Sequence, residues 1–410
     1  MTSQILHQAQ KAKNSSNSWR VMTLGEVGEI VSGGTPSTAI PEYWGGEINW
    51  ISPSDLTGYK EKTIKKGAKS ITKLGLKNSS ARVIPEGSVL FSSRAPIGYV
   101  AIASEKLSTN QGFKSIVPHE FVLSEYLYYF LSASKQQAEK VASGTTFKEI
   151  SKSKFAELQI PVPNLDIQQS IVSKIEELLS ELDKGVESLK LAQQQLKVYR
   201  QSVLKWAFDY IQTNQDAFVE DCCTHVVDCL HSTAKFAKQG YYCVDTTCIE
   251  QGKIIFEKIR YVTKETFVER ISRLKPEPGD ILFSREGTVG TTVIVPNNIE
   301  LCLGQRMMMF RLKKNISSKY FMYYFQSPHF KSQYQPLIMG TTAPHLNIRD
   351  IRKFLVKLCP FERQLSIVSN IEDQLSITDK MEESINQSLQ QAEVMRQSIL
   401  KRAFEGILIK

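Results

Sequence analysis

Two arginines in this chain follow nearly the same run of residues, Leu90-Phe91-Ser92-Ser93-Arg94 and Leu282-Phe283-Ser284-Arg285. Each run opens with apolar residues that read as a strand, and glycine follows at Gly98 in the first and at Gly287 and Gly290 in the second. An arginine on such a turn offers a planar fork of donors that matches a phosphate or, in bidentate fashion, a guanine edge. Its competing use is to pair with a carboxylate and stiffen the loop. The next apolar stretch in each half ends at Gln111 and at Gln305-Arg306. Glutamine has the donor and acceptor pair that fits adenine, and arginine again fits guanine. Lysines at 60, 62, 65, 66, 69 and 73 form a third concentration of donors. Of these Lys62, Lys65, Lys66 and Lys69 are candidate phosphate contacts, a plain solvated face being the alternative.

Other chemistries lack their residues. The sequence holds no Gly-x-Gly, no Walker A loop and no Glu-x-Lys, and its six histidines are scattered. No catalytic residue is therefore expected. Cys222, Cys223, His225, Cys229 and His231, with Cys243 and Cys248 nearby, are rich in metal-ligand atoms but contain no Cys-x-x-Cys. Buried structural thiols on a strand through Val226-Val227 are the preferred reading, and no metal is expected. All seven cysteines lie beyond residue 220, with no disulfide-like spacing. A reduced, cytoplasmic setting is expected. No stretch approaches the ~18–20 apolar residues of a membrane helix, and residues 1–18 read as a polar, frayed tail.

The elements that must position these side chains are written twice. Ser170 to Asp183, SIVSKIEELLSELD, recurs from Ser366 as SIVSNIEDQLSITD, and YRQSVLKWAF from Tyr199 recurs as MRQSILKRAF from Met395. Both displacements are 196 residues, and looser matches run upstream: Tyr128-Tyr129-Phe130 with Tyr323-Tyr324-Phe325, Gly144-Thr145-Thr146 with Gly340-Thr341-Thr342. Ile175, Leu182, Leu189, Leu196 and Val203 fall every seven residues, beside a second stripe of Ile171, Leu178, Ala192, Tyr199 and Trp206. Ile367, Ile371, Met381, Ile385, Ala392, Met395 and Ile399 repeat the frame, interrupted by polar Gln374, Thr378 and Ser388. These are coiled-coil seams, predicting two helices of roughly 40 residues and roughly 60 Å that pair antiparallel with pseudo-twofold symmetry. Charge follows the same plan. Residues 1–160 hold 19 Lys and Arg against 13 Asp and Glu, and residues 215–356 hold 19 against 14. The intervening and final stretches are close to neutral. Two basic heads on a stiff rod suit a polyanion contacted at two separated patches.

The layout resembles the specificity subunit of type I restriction–modification enzymes over essentially the whole chain from Trp19 onward. The match is carried by Leu24-Gly25-Glu26-Val27, Gly33-Gly34-Thr35-Pro36, Trp44-Gly45-Gly46, Trp50-Ile51, Asp55-Leu56 and Ile160-Pro161-Val162-Pro163. In the second half it is carried by Pro278-Gly279-Asp280-Ile281-Leu282-Phe283-Ser284-Arg285 with Gly287 and Gly290, then Gly304-Gln305-Arg306. Ser232-Thr233 stands where the first half has Gly34-Thr35-Pro36. The resemblance implies an α+β fold of two mixed α/β target-recognition domains, over 19–160 and 215–356. They are separated by long-helix regions over 161–214 and 357–410 that form an antiparallel coiled coil. It implies double-stranded DNA as a partner, read as a bipartite, asymmetric site. Two modification subunits, with two restriction subunits besides, are the implied protein partners. S-adenosylmethionine, ATP and Mg are then expected on those partners and no cofactor on this chain. Arg200-Gln201 and Arg396-Gln397 hold identical places on the two rods and are candidate docking residues. A coiled-coil scaffold whose basic heads bind RNA or protein is the alternative.

Overall fold

The computed structural model describes residues 19–409 except 145–147, 210, 212–215, 251 and 343. The expected tail over 1–18, and Thr145 and Thr146 of the repeated Gly-Thr-Thr, lie outside the described residues. Four helices carry the duplication: α1 (Ser124–Ala133), α2 (Leu165–Asp209), α3 (Ser318–Gln326) and α4 (Phe361–Phe404). Two compact units result. Unit 1 is Met1–Ser188 with Ser388–Lys410, and unit 2 is Leu189–Gln387. The division runs through α2 and α4, not at their ends, so each unit owns a segment of both long helices.

Unit 1 holds a five-stranded sheet in the order Gly28–Ser32, Lys114–Pro118, Val89–Phe91, Val100–Ala103, Thr63–Ile64. A second sheet runs Lys69–Ile71, Trp44–Ile51, Leu107–Thr109, Val83–Ile84. Unit 2 repeats the plan. One sheet runs Cys223–Asp228, Met307–Leu312, Ile281–Ser284, Thr292–Ile294, the other Phe236–Ala237, Arg260–Val262, Tyr241–Val244, Leu301–Leu303. In both units the second sheet contains one parallel pair, Trp44–Ile51 with Leu107–Thr109 and Tyr241–Val244 with Leu301–Leu303. The apolar runs before the two arginines are strands buried on both faces, which is why they show no polar alternation. Val89 and Phe91 face the cluster containing α1, while Leu90 faces the cluster under the second sheet. Ile281 and Phe283 divide from Leu282 in the same way.

Each head holds the first turn of one long helix and the last turn of the other. At the first turn of α2, Gln168 is fully buried; its Oε1 accepts from Leu123 N at 2.9 Å, and its Nε2 donates to Phe121 O at 2.9 Å and Pro163 O at 2.8 Å. Gln364 of α4, 196 residues on, accepts from Ser317 N at 2.9 Å and donates to Cys359 O at 2.9 Å and Asn315 O at 3.4 Å. The last turns plug the heads. In unit 1, Phe404 stacks edge-on with Tyr126 and Phe130 of α1 at 5.2 and 5.3 Å between centroids. In unit 2, Phe208 does the same against Tyr320 and Tyr324 of α3 at 5.4 and 5.1 Å.

Within unit 2 the helical segments run antiparallel. Gln193 Nε2 donates to Asn386 Oδ1 at 2.7 Å and Arg200 Nη2 to Glu382 Oε2 at 3.0 Å. The seam departs from the heptad expectation. Tyr199 and Trp206 are 44% and 64% exposed, and Met381 and Met395 are also exposed, while Arg200, Leu204 and Phe208 turn inward. A straight helix drifts by about 20° per heptad against a strict seven-residue repeat, so a stripe begun at Ile171 moves to the rim of the contact, where the Tyr199 hydroxyl donates to Gln374 Oε1 at 2.8 Å. Thr378, expected to interrupt the seam, is buried in it because its hydroxyl donates to Gln374 O at 2.9 Å.

Polar contacts in this seam make it acid-sensitive. Burial works against ionisation of Asp379, but hydrogen bonds from Arg200 and Lys253 outweigh it and hold the carboxyl below its ordinary value. A depressed folded-state pKa contributes stability above the unfolded value of about 3.9, lost as pH falls through the folded value. Melting curves should show Asp379→Asn less stable than the parent at pH 7, with the difference closing below about pH 3.

Candidate nucleic-acid interface

Three loops converge at the same edge of each head. In unit 1 they carry Arg94, Gln111 and Thr35. Arg94 Nη1 lies 3.3 Å from Glu149 Oε2, and the buried Lys114 Nζ lies 3.3 Å from Glu149 Oε1, so one carboxylate ties two cations. Lys114 also donates to Gln111 O at 3.4 Å, and the Thr35 hydroxyl donates to Gln111 Oε1. A cleft of about 440 Å³ opens here, lined by Ser52, Pro53, Ser54, Arg94, Ala95, Asn110, Gly112 and Glu149. Polar groups converge in it, while Arg94 stays about one-third exposed.

Unit 2 builds the same corner from different side chains. The Thr233 hydroxyl donates to Gln305 Oε1 at 3.3 Å, and Gln305 Nε2 donates to His231 O at 3.1 Å. Arg285 is only 7% exposed. Its Nε donates to Asp228 Oδ1 at 3.0 Å, Nη1 lies 2.6 Å from Glu286 Oε1, and Nη2 lies 3.3 Å from His231 Nδ1. Arg306 is exposed, its Nε 3.8 Å from Glu286 Oε2. The two arginines singled out as equivalents are one position out of register, since Ser93 N and Arg285 N make the matching backbone bonds, to Gly112 O and Arg306 O. Arg94 keeps an open side toward the cleft, whereas Arg285 is committed to carboxylates and organises its loop.

The lysine run is dispersed among partners. Lys62 Nζ is 2.6 Å from Glu176 on α2, Lys65 is 2.6 Å from Glu105, and Lys69 sits 5.5 Å over the Trp44 ring. Lys66 is exposed and has no ion pair among the described residues. On the rods, Arg200 bonds Asp379 and Glu382, and Arg396 bonds Asp183. Both arginines thus take part in helix pairing within their units, while the neighbouring Gln201 and Gln397 are exposed. Thr35, Thr233, Glu149 and Lys114 were not picked out by their chemistry. The alignment of Gly34-Thr35 with Ser232-Thr233 was the one sequence signal pointing to the threonines.

Cys223–Asp228 is a strand, and six of the seven thiols are buried. Burial pushes the Cys222 thiol up to about 12 and that of Cys248 up to about 11. Among the described residues no group of three or more His, Cys, Asp or Glu is placed to hold a metal ion. No described helix is long and apolar enough to cross a membrane.

The duplicated head-and-helix plan has relatives. The chain belongs to the family described as type I restriction modification DNA specificity domain, whose model matches residues 16–191 and 231–391. It is 40% identical over 204 residues to the type I restriction enzyme MjaIX specificity subunit of Methanocaldococcus jannaschii, a match covering 49% of this chain and 46% of that one. The match thus spans less than half of that relative. The EcoKI specificity subunit of Escherichia coli is 24% identical over 394 residues, covering 88% of this chain and 84% of that one. The fold is shared with a chain of a structure reported for complex assembly and conformational transition of a type I R-M system, at TM-score 0.70, 19% identity, and coverage of 95% and 98%. It is shared too with the HsdS subunit from Thermoanaerobacter tengcongensis, at TM-score 0.54, 19% identity, and coverage of 95% and 97%.

Proposed function

We propose that the chain is the sequence-reading subunit of a type I restriction–modification complex, each head binding one half of a bipartite, asymmetric duplex site. The observation that carries this is the corner formed by the same three loops in both units: the backbone scaffold repeats while the donors on it differ. A reader of two unlike half-sites requires that combination, since the scaffold positions and the side chains specify. The helices set the spacing of the half-sites and dock methyltransferase subunits. Val198 and Val394, 196 residues apart, are 67% and 70% exposed. With Gln201 and Gln397 one turn on, they leave equivalent faces uncovered on the two rods, as two copies of one partner require. Methylation and cleavage, with S-adenosylmethionine, ATP and Mg, belong to modification and restriction partners in this reading, and the chain governs the specificity of both reactions in the cytoplasm.

Profiling methylated sites with the modification partner alone and with this chain added tests the proposal. A gapped motif methylated only in the mixture is the expected result. Methylation of the same sites by the partner alone would overturn it. Binding of the complex without enrichment of any gapped motif from random duplexes would favour the scaffold alternative.

A further inference from the structure

The turn entering the central strand of each head is fixed in the same way in both units. Asn110 N donates to Ile51 O at 2.8 Å, and Gly304 N donates to Val244 O at 2.7 Å. Two residues on, Gly112 O accepts from Ser93 N at 2.7 Å, and Arg306 O accepts from Arg285 N at 3.1 Å. Between these anchors the two turns expose different residues. In unit 1 Gly112 is buried and Gln111 is exposed. Thr35 fixes Gln111 Oε1, which keeps a second lone pair, and the amide nitrogen has no partner among the described residues. In unit 2 Gln305 is tied at both ends, to Thr233 and His231, and Arg306 is exposed instead. Arg306 adopts φ +75°, a left-handed conformation that glycine takes freely and arginine does not. Its Nε faces Glu286, and its terminal nitrogens carry no hydrogen bond among the described residues.

We infer that these turns are the base-reading elements and read different bases: Gln111 reads an adenine in the half-site of unit 1, and Arg306 a guanine in that of unit 2. The inference rests on the DNA-reading function proposed above. Gln111 retains the donor and acceptor that pair with adenine N6 and N7, and Arg306 retains the fork that pairs with guanine O6 and N7. Thr35 acts as a positioning residue for Gln111. Gln305, although the same residue type, is a structural member of its loop.

The experiment is selection from a random duplex library by the full chain with its modification partner bound, followed by sequencing, for the parent and four variants. Arg306→Gly relieves the left-handed strain and should fold at least as well as the parent, which a melting curve checks. It should lose preference for one guanine in one half-site, roughly 10-fold or more, with the other half-site unchanged. Gln111→Ala should lose one adenine in the opposite half-site by a similar factor, while Gln305→Ala, which removes a loop anchor and no base contact, should lose no single base of its own beyond an even weakening of the unit 2 half-site. Arg306→Lys, which keeps the charge without the fork, should retain overall affinity but relax the same guanine. Even weakening by Arg306→Gly across all sequences, as for a phosphate contact, would overturn the inference while leaving the DNA-reading function standing. An unchanged motif would do the same. A parent complex that selects no gapped motif would overturn both.

Discussion

Truncating Phe404 to alanine should destabilise unit 1 by about 3–5 kcal/mol, the usual cost of removing a buried aromatic ring. The ring lies in the core cluster of unit 1, edge-on to Tyr126 and Phe130, and those contacts disappear along with its buried area. Phe208→Ala should cost unit 2 a similar amount, because Tyr320 and Tyr324 make the equivalent slot. Since each residue belongs to one compact unit, limited proteolysis should localise each effect. Phe404→Ala should expose residues 388–409 to cleavage and leave unit 2 protected, and Phe208→Ala should do the reverse. Indistinguishable digestion patterns for the two variants would count against separate plugs.

Replacing Gln168 by leucine should be nearly as damaging, although leucine is close in size and more apolar. The amide satisfies three backbone groups, Leu123 N, Phe121 O and Pro163 O, in a site closed to solvent. Each buried polar group left without a partner costs about 1–3 kcal/mol, so a total of about 3–5 kcal/mol is expected after partial relaxation. Gln168→Glu separates hydrogen bonding from size. It keeps the acceptor for Leu123 N but turns a carboxylate oxygen toward two carbonyls, which only the protonated acid can accommodate. The variant should therefore gain stability relative to the parent as pH falls from 7 to 5, measured by denaturant midpoint. Gln364→Leu and Gln364→Glu should behave alike in unit 2. A Gln168→Leu variant as stable as the parent would remove the amide from the account of how the helix is held.

These two positions show where the sequence was legible and where it was not. The 196-residue duplication, the two long helices and the buried strands before Arg94 and Arg285 all follow from spacing and apolar pattern, and the structure has each of them. Phe208 and Phe404 stood in the repeated decapeptide, but a repeat says that two residues share an environment without saying what it is. Gln168 and Gln364 were invisible for a physical reason. Polar residues in the first turn of a helix read as solvated, and only the path of the preceding loop shows that the amide is spent on backbone. The seam stripes reach the exposed rim further along, at Tyr199, Trp206, Met381 and Met395, because a strict heptad drifts against a straight helix over five repeats. Arg200 and Arg396 stand out in the sequence because they hold identical places on the two rods, and which carboxylates they meet across the seam depends on how the helices pair. In the heads, the loops that carry candidate donors were legible as loops. Which donor remained open, Arg94 and not Arg285, Arg306 and not Gln305, depended on partners far away in sequence, such as Asp228 and Glu149.

The ownership of the helix ends also sets an order of events on the ribosome. Unit 2 is a continuous stretch, Leu189–Gln387, whose plug at Phe208 precedes its slot on α3, so everything it needs is made before the last turn of α4. Unit 1 supplies its slot early, at Tyr126 and Phe130, but its plug follows the whole of unit 2 in the chain. Until α4 is made, the first head carries an open aromatic socket, the kind of surface that chaperones hold and proteases detect. A chain stopped short of Phe404 would present that socket permanently.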